Sequence, residues 1–94
     1  MNEITKHGKE RVDNRLKTYL ELLERKPVAS IRIVNKGHDN GIERHVIHKN
    51  RLVYIYNVNT NKFITVLYAR NGQLRKYGLD PKDFDPFIYG LNEL

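Results

Sequence analysis

The chain has 94 residues, no cysteine, a formal charge of +6 and an isoelectric point near 9.7. A single domain of this size folds around a modest core, and without thiols it has neither a disulfide framework nor a thiolate metal site. No apolar run reaches the roughly 18 residues of a membrane span, and the charged N-terminus lacks the apolar segment of a signal peptide. A cytoplasmic protein with no membrane partner is therefore expected. The basic balance favours a polyanion such as nucleic acid or the ribosome. It is also uneven: residues 1–78 hold 16 Lys and Arg against seven Asp and Glu, whereas residues 79–94 hold one lysine against Asp80, Asp83, Asp85 and Glu93. A basic body (1–78) with an acidic aromatic tail (79–94) is the first level of organisation.

The spacing predicts a helix over about residues 8–25, with Val12, Leu16, Tyr19, Leu20 and Leu23 forming one apolar stripe. Thr5 is a possible cap, and Lys26-Pro27 marks the stop because the residue before proline avoids the α region. His7, Arg11 and Arg15 recur at every fourth position beside the stripe, where a helix meets the sheet beneath it. Strand-like runs follow. They are Ser30–Val34, Ile42–His48, Leu52–Asn57 and Phe63–Ala69, joined by turn chemistry at 35–41, at Lys49-Asn50 and at 59–62. Asn71-Gly72 signals another turn, and Gln73–Tyr77 is either a fifth short strand or a helical turn.

These elements specify an α+β fold, an N-terminal helix packed on a four- to five-stranded antiparallel meander, with the opposite face left to solvent or ligand. Alternation separates Val53 and Ile55 from Leu52, Tyr54 and Tyr56, but both sides are apolar, so it leaves open which one faces the helix. In the tail, Phe84, Phe87 and Tyr89 are spaced among acids and two prolines. Such a segment can close a sheet edge, cover a basic groove or bind a partner.

No Walker loop, dinucleotide fingerprint or nucleophile elbow is present, and Ser30 is the only serine. His45 and His48, with the more distant His38, are the best metal-ligand candidates. Three positions apart on a strand, His45 and His48 project to opposite faces, so no metal or other cofactor is expected. Metal-free phosphodiester chemistry remains. RNA carries its own nucleophile in the 2′-hydroxyl. The protein need only align it, accept its proton and stabilise the phosphorane charge. Arg51 and Arg70, at the start and end of one hairpin, are candidates for holding the phosphate, while Tyr77, His48 or His7 would move protons. Arg11, Arg15 and Lys49 are candidate backbone contacts, and Tyr54 and Tyr56 candidate base-stacking rings.

The run Arg51-Leu-Val-Tyr54, through Ile64-Thr-Val-Leu-Tyr-Ala-Arg70 to Tyr77, resembles the C-terminal half of RelE-type toxins, the ribosome-dependent mRNA interferases. Ala69-Arg70 and Lys6-His7-Gly8 resemble the related BrnT branch. The resemblance spans residues 42–78 and, more loosely, 5–15. It implies a RelE-like domain and an endoribonuclease leaving a 2′,3′-cyclic phosphate. It also implies Arg51, Arg70 and Tyr77 as site residues, ribosome-bound mRNA as substrate and an antitoxin as partner. The second helix that usually precedes the family's sheet is missing here, its sheet lysine pair has no clear counterpart beyond Lys49, and the tail has no equivalent. The alternative is a non-catalytic module of a phage or mobile element that docks on nucleic acid or a host protein.

Overall fold

A computed structural model describes residues 6–23, 26–37 and 41–93, with residues 6–12 and 93 described as backbone. Helix α1 (Lys6–Leu22) is followed by strands β1 (Val28–Asn35), β2 (Ile42–His48), β3 (Leu52–Asn57) and β4 (Phe63–Tyr68). A short helix α2 (Asn71–Lys76) and two 3-10 turns, Pro81–Asp83 and Leu91–Glu93, complete the chain. The strands form one antiparallel sheet in the order β1-β2-β3-β4, the meander that short connections dictate. No helix among the described residues is long and apolar enough to cross a membrane.

Both sides of the sheet are covered over β3 and its neighbours, which corrects the expectation of one open face. Val46, Tyr54 and Val66 are register partners on the side of α1, packed with Tyr19, Leu52, Tyr68 and Leu91. Ile47, Val53 and Leu67 are partners on the other side, packed with Leu74 of α2 and with Phe84. The apolar character of both faces of β3 has this cause: each face meets its own layer, and each large buried side chain contributes about 1.5–3 kcal/mol. Within α1, Tyr19 is the buried anchor and Leu16 and Leu23 flank it. Leu20, expected in the stripe, is exposed because α1 lies over β4 and leaves β1 beyond its reach. Ile31 and Ile33 of β1 are exposed for the same reason.

Residues 73–76 belong to α2 and Tyr77 is its C-cap, so the sheet among the described residues has four strands. Gln73 Oε1 accepts from the backbone N–H of Arg70 (2.9 Å), satisfying a donor at the helix start. At the other end Gly78, with φ of 78°, closes the helix. Leu79 N–H reaches the Leu74 carbonyl (3.0 Å) and Gly78 N–H that of Arg75 (2.9 Å), the paired bonds of a Schellman cap. That cap fixes Tyr77 at the C-terminus of α2, over β2. The C-terminal segment, set apart in sequence by its acidity, is part of the same packed unit. Phe84 enters the α2-side core and Leu91 the α1-side core, so the segment wraps the end of the sheet.

Candidate functional site

Strand alternation places Glu43 and His45 on the same side of β2, the side that α2 covers. The Tyr77 hydroxyl donates to His45 Nδ1 at 2.6 Å, and His45 Nε2 lies 2.9 Å from Glu43 Oε1. A carboxylate only accepts, so the ring proton sits on Nε2 and Nδ1 receives the phenol. The result is a continuous chain from phenol to imidazole to carboxylate, with His45 only 6 % exposed. The rings of His45 and Tyr77 meet edge-on at 5.7 Å. Burial, and next the negative charge of Glu43, push the Tyr77 phenol above its ordinary value, so it stays protonated at neutral pH.

Two cations contact this chain. Arg32, the register partner of His45 on β1, donates from Nε to the Tyr77 carbonyl (3.1 Å) and from Nη1 to the Ser30 hydroxyl. Lys36 lies 3.8 Å from Glu43. Arg75 and Lys76, immediately before Tyr77 on α2, are both exposed, and residues 70–77 include three cations and no acid. The geometry can pass a proton from Tyr77 to His45 while Glu43 stabilises the imidazolium.

Arg51 takes a different position from the one its sequence context implies. It is 3 % exposed and has a φ of 75°, the left-handed conformation that closes the β2–β3 turn. Its Nε donates to the Asp85 carbonyl (2.6 Å), its Nη1 to Asn71 Oδ1 (2.7 Å) and to the Ala69 carbonyl (3.4 Å), and Phe87 lies over the guanidinium at 5.5 Å. Beneath residues 85–87 it presents no face to an incoming phosphate; it ties the C-terminal segment to the sheet. Buried carbonyls need donors, and Arg51 supplies them.

Arg70 is exposed, and its guanidinium abuts the Asn92 carboxamide, whose oxygen, turned toward it, accepts from Nε at 2.9 Å. Arg51 and Arg70 are thus near neighbours with guanidinium groups in unlike environments, and they do not converge on an uncovered surface.

The remaining sequence candidates divide in a similar way. His48 is buried: Nδ1 donates to the Lys26 carbonyl (2.7 Å), the ring stands edge-on to Tyr54 at 5.2 Å, and Nε2 has no hydrogen-bond partner among the described residues. Tyr54 is a core ring, so it offers no face for stacking. Tyr56 is half-buried between Phe63 and the Arg44 guanidinium, which sits 5.2 Å above it. Lys49 is exposed and donates to the Asp83 carbonyl (3.3 Å). Arg15 does meet the sheet, donating to the Val66 carbonyl of edge strand β4 at 3.2 Å. The side chains of His7 and Arg11, the whole of His38, and Thr5 lie outside the described residues.

Two members of the hydrogen-bonded chain, Glu43 and His45, were not among the sequence candidates for proton transfer. Their signal is the two-residue spacing on one strand, which puts a carboxylate beside an imidazole. Their junction with Tyr77 spans 32 residues and has no signature in the sequence. Among the described residues no three His, Asp or Glu side chains gather as metal ligands would. No protein-family model matches the sequence, and no curated protein or solved structure matches it either.

Proposed function

We propose that this chain is a RelE/BrnT-like endoribonuclease that binds RNA on the surface around α2 and cleaves it without a metal. The observation that carries this reading is the Tyr77–His45–Glu43 chain. The resemblance of residues 42–78 to RelE-type toxins and the basic character of residues 70–77 support it. In the reaction, the 2′-oxygen forms a bond to phosphorus and its proton passes to the Tyr77 oxygen. The phenolic proton moves to His45 Nδ1, and Glu43 balances the imidazolium charge. The bond from phosphorus to the 5′-oxygen breaks, that oxygen takes a proton from water, and the relay returns its own to water. Arg75, Lys76 and Arg70 attract the strand and hold its phosphates, and Arg32 fixes the end of α2 through the Tyr77 carbonyl. Arg51 holds the scaffold.

Purified protein is expected to cleave RNA to 2′,3′-cyclic phosphate ends, alone or on ribosomes, and His45→Gln to abolish this while leaving the fold intact by circular dichroism. Absence of cleavage under both conditions would overturn the enzymatic reading. A second reading is favoured by the burial of Arg51, which removes one of the two cations expected at the phosphate. In it the same surface binds nucleic acid without cutting. Steep salt dependence of binding with no products formed would identify it. A ribosome-bound mRNA substrate and a neutralising antitoxin belong to the first reading, and expression of the intact chain should then arrest bacterial growth.

A further inference from the structure

Between α2 and the C-terminal segment lies a cleft of about 670 Å³, lined chiefly by Arg70, Asn71, Gly72, Phe87, Tyr89 and Asn92. It is a feature of the tail, which the Tyr77 chain does not use. Four rings lead outward from the core to its wall. Tyr19 and Tyr68 lie 6.2 Å apart, Tyr68 and Phe87 stack at 5.1 Å and 29°, and Phe87 meets Tyr89 edge-on at 5.2 Å. Tyr89, the last, is 90 % exposed.

The backbone on either side of Tyr89 is pinned. The Tyr68 hydroxyl accepts from Ile88 N–H (2.8 Å), and the Tyr19 hydroxyl donates to the Leu91 carbonyl (3.1 Å). Gly90, with φ of 94°, makes the turn between them, in a conformation that favours glycine. Tyr89 is therefore held out on a fixed support. Across the cleft, the Arg70 guanidinium lies beside the Asn92 carboxamide.

An exposed ring and an exposed cation lining one cleft match one nucleotide unit, a flat base with a phosphate at one side. The cleft is of a size that takes one such unit. Tyr77 lies seven positions beyond Arg70, about 10 Å along the α2 axis, so a strand crossing the relay would reach the cleft within a few nucleotides. Arg70 is the charged residue among those that line the cleft, and the acids of the C-terminal segment are not among them.

We propose that the cleft between Arg70 and Tyr89 is a subsite for one unpaired nucleotide of single-stranded RNA, with its base stacked on Tyr89 and its phosphate against Arg70. The inference rests on the RNA-binding reading above and adds to it a preference for single strands, set by the C-terminal segment.

Fluorescence anisotropy with a short 2′-O-methyl oligouridine, which cannot be cleaved, separates binding from chemistry. Tyr89→Ala is expected to weaken binding about tenfold and Tyr89→Phe to restore it, because stacking needs the ring and not the hydroxyl. Binding of a duplex of the same length should be unchanged by either substitution. Circular dichroism verifies folding of each variant, and Tyr89 makes no core contact whose loss would unfold the chain. If wild-type protein binds the oligonucleotide and Tyr89→Ala binds it equally well, the subsite is overturned while RNA binding stands. If wild-type protein does not bind even at low salt, both fall. Saturation of the cleft by free uridine monophosphate, with oligonucleotide binding indifferent to Tyr89, would overturn the assignment to a strand.

Discussion

Arg51 and Arg70 mark the same end of the β3–β4 hairpin, close enough that Ala69 N–H donates to the Arg51 carbonyl at 2.9 Å. Yet one guanidinium is an interior fastener with three acceptors, and the other lies at the surface beside Asn92. The same chemical group, at the same end of one hairpin, ties the fold together in one case and lies at the surface in the other. The C-terminal segment makes the difference, because Asp85 and Phe87 pass over Arg51 and leave Arg70 outside. Arginine near a strand end is thus weak grounds for a phosphate site until the cover is known.

The largest effect that tests this contrast is on stability. Arg51→Ala leaves buried carbonyl acceptors unpaired and should cost about 2–4 kcal/mol, read as a lower denaturant midpoint. Arg51→Gly should cost about 1 kcal/mol less, because glycine relieves the left-handed backbone while still losing the hydrogen bonds. Equal losses for the two would show that the backbone conformation contributes nothing.

Next in size is chemistry. Tyr77→Phe should lower RNA cleavage by about 10²-fold or more, the usual share of a positioned proton-transfer group. It should also cost stability on the order of 1–3 kcal/mol, since His45 Nδ1 would be left buried without its donor. Unchanged cleavage would remove the relay from the mechanism. Arg70→Ala provides the counterpart to Arg51→Ala. Stability should stay within about 0.5 kcal/mol, whereas RNA binding should weaken at low salt and lose about one unit of its salt slope. A large stability loss at Arg70 would erase the distinction between the two arginines.

The smallest effect is alkaline. Burial raises the Tyr77 phenol and also that of Tyr19, whose rise is partly offset by Arg15. An unfolded tyrosine ionises near 10, below its folded counterpart, so the unfolded chain loses protons first. The associated stability is therefore whole below pH 10 and falls as pH rises through the folded values. Tyr77→Phe should make that fall shallower in denaturant titrations above pH 10, and an unaltered slope would discount Tyr77 as a contributor.

Much of the fold is written locally. The period-two runs and short turns name four strands in their order, and the helical spacing of Leu16, Tyr19 and Leu23 names the α1 contact. The end of the sequence is less plain. Gln73–Tyr77 reads equally as strand or helical turn, and what decides it is the bond from Gln73 back to Arg70 and the cap at Gly78. For the candidate site, Tyr77 and Arg70 are visible as chemistry-bearing residues, whereas Glu43 and His45 go unread although their two-residue spacing on one strand puts them on the same face. Tyr54 and His48, chosen as a stacking ring and a proton acceptor, lie inside because α1 and the chain at Lys26 cover them.

Composition and periodicity alone determine a basic α+β domain with an antiparallel meander, because charge, propensity and hairpin length act over a few residues. Which cations face solvent, which histidine meets the tyrosine, and that Tyr89 stands at the rim of a cleft are decided only in three dimensions. Each depends on contacts between segments tens of residues apart, and no local preference encodes which distant layer will cover a given side chain.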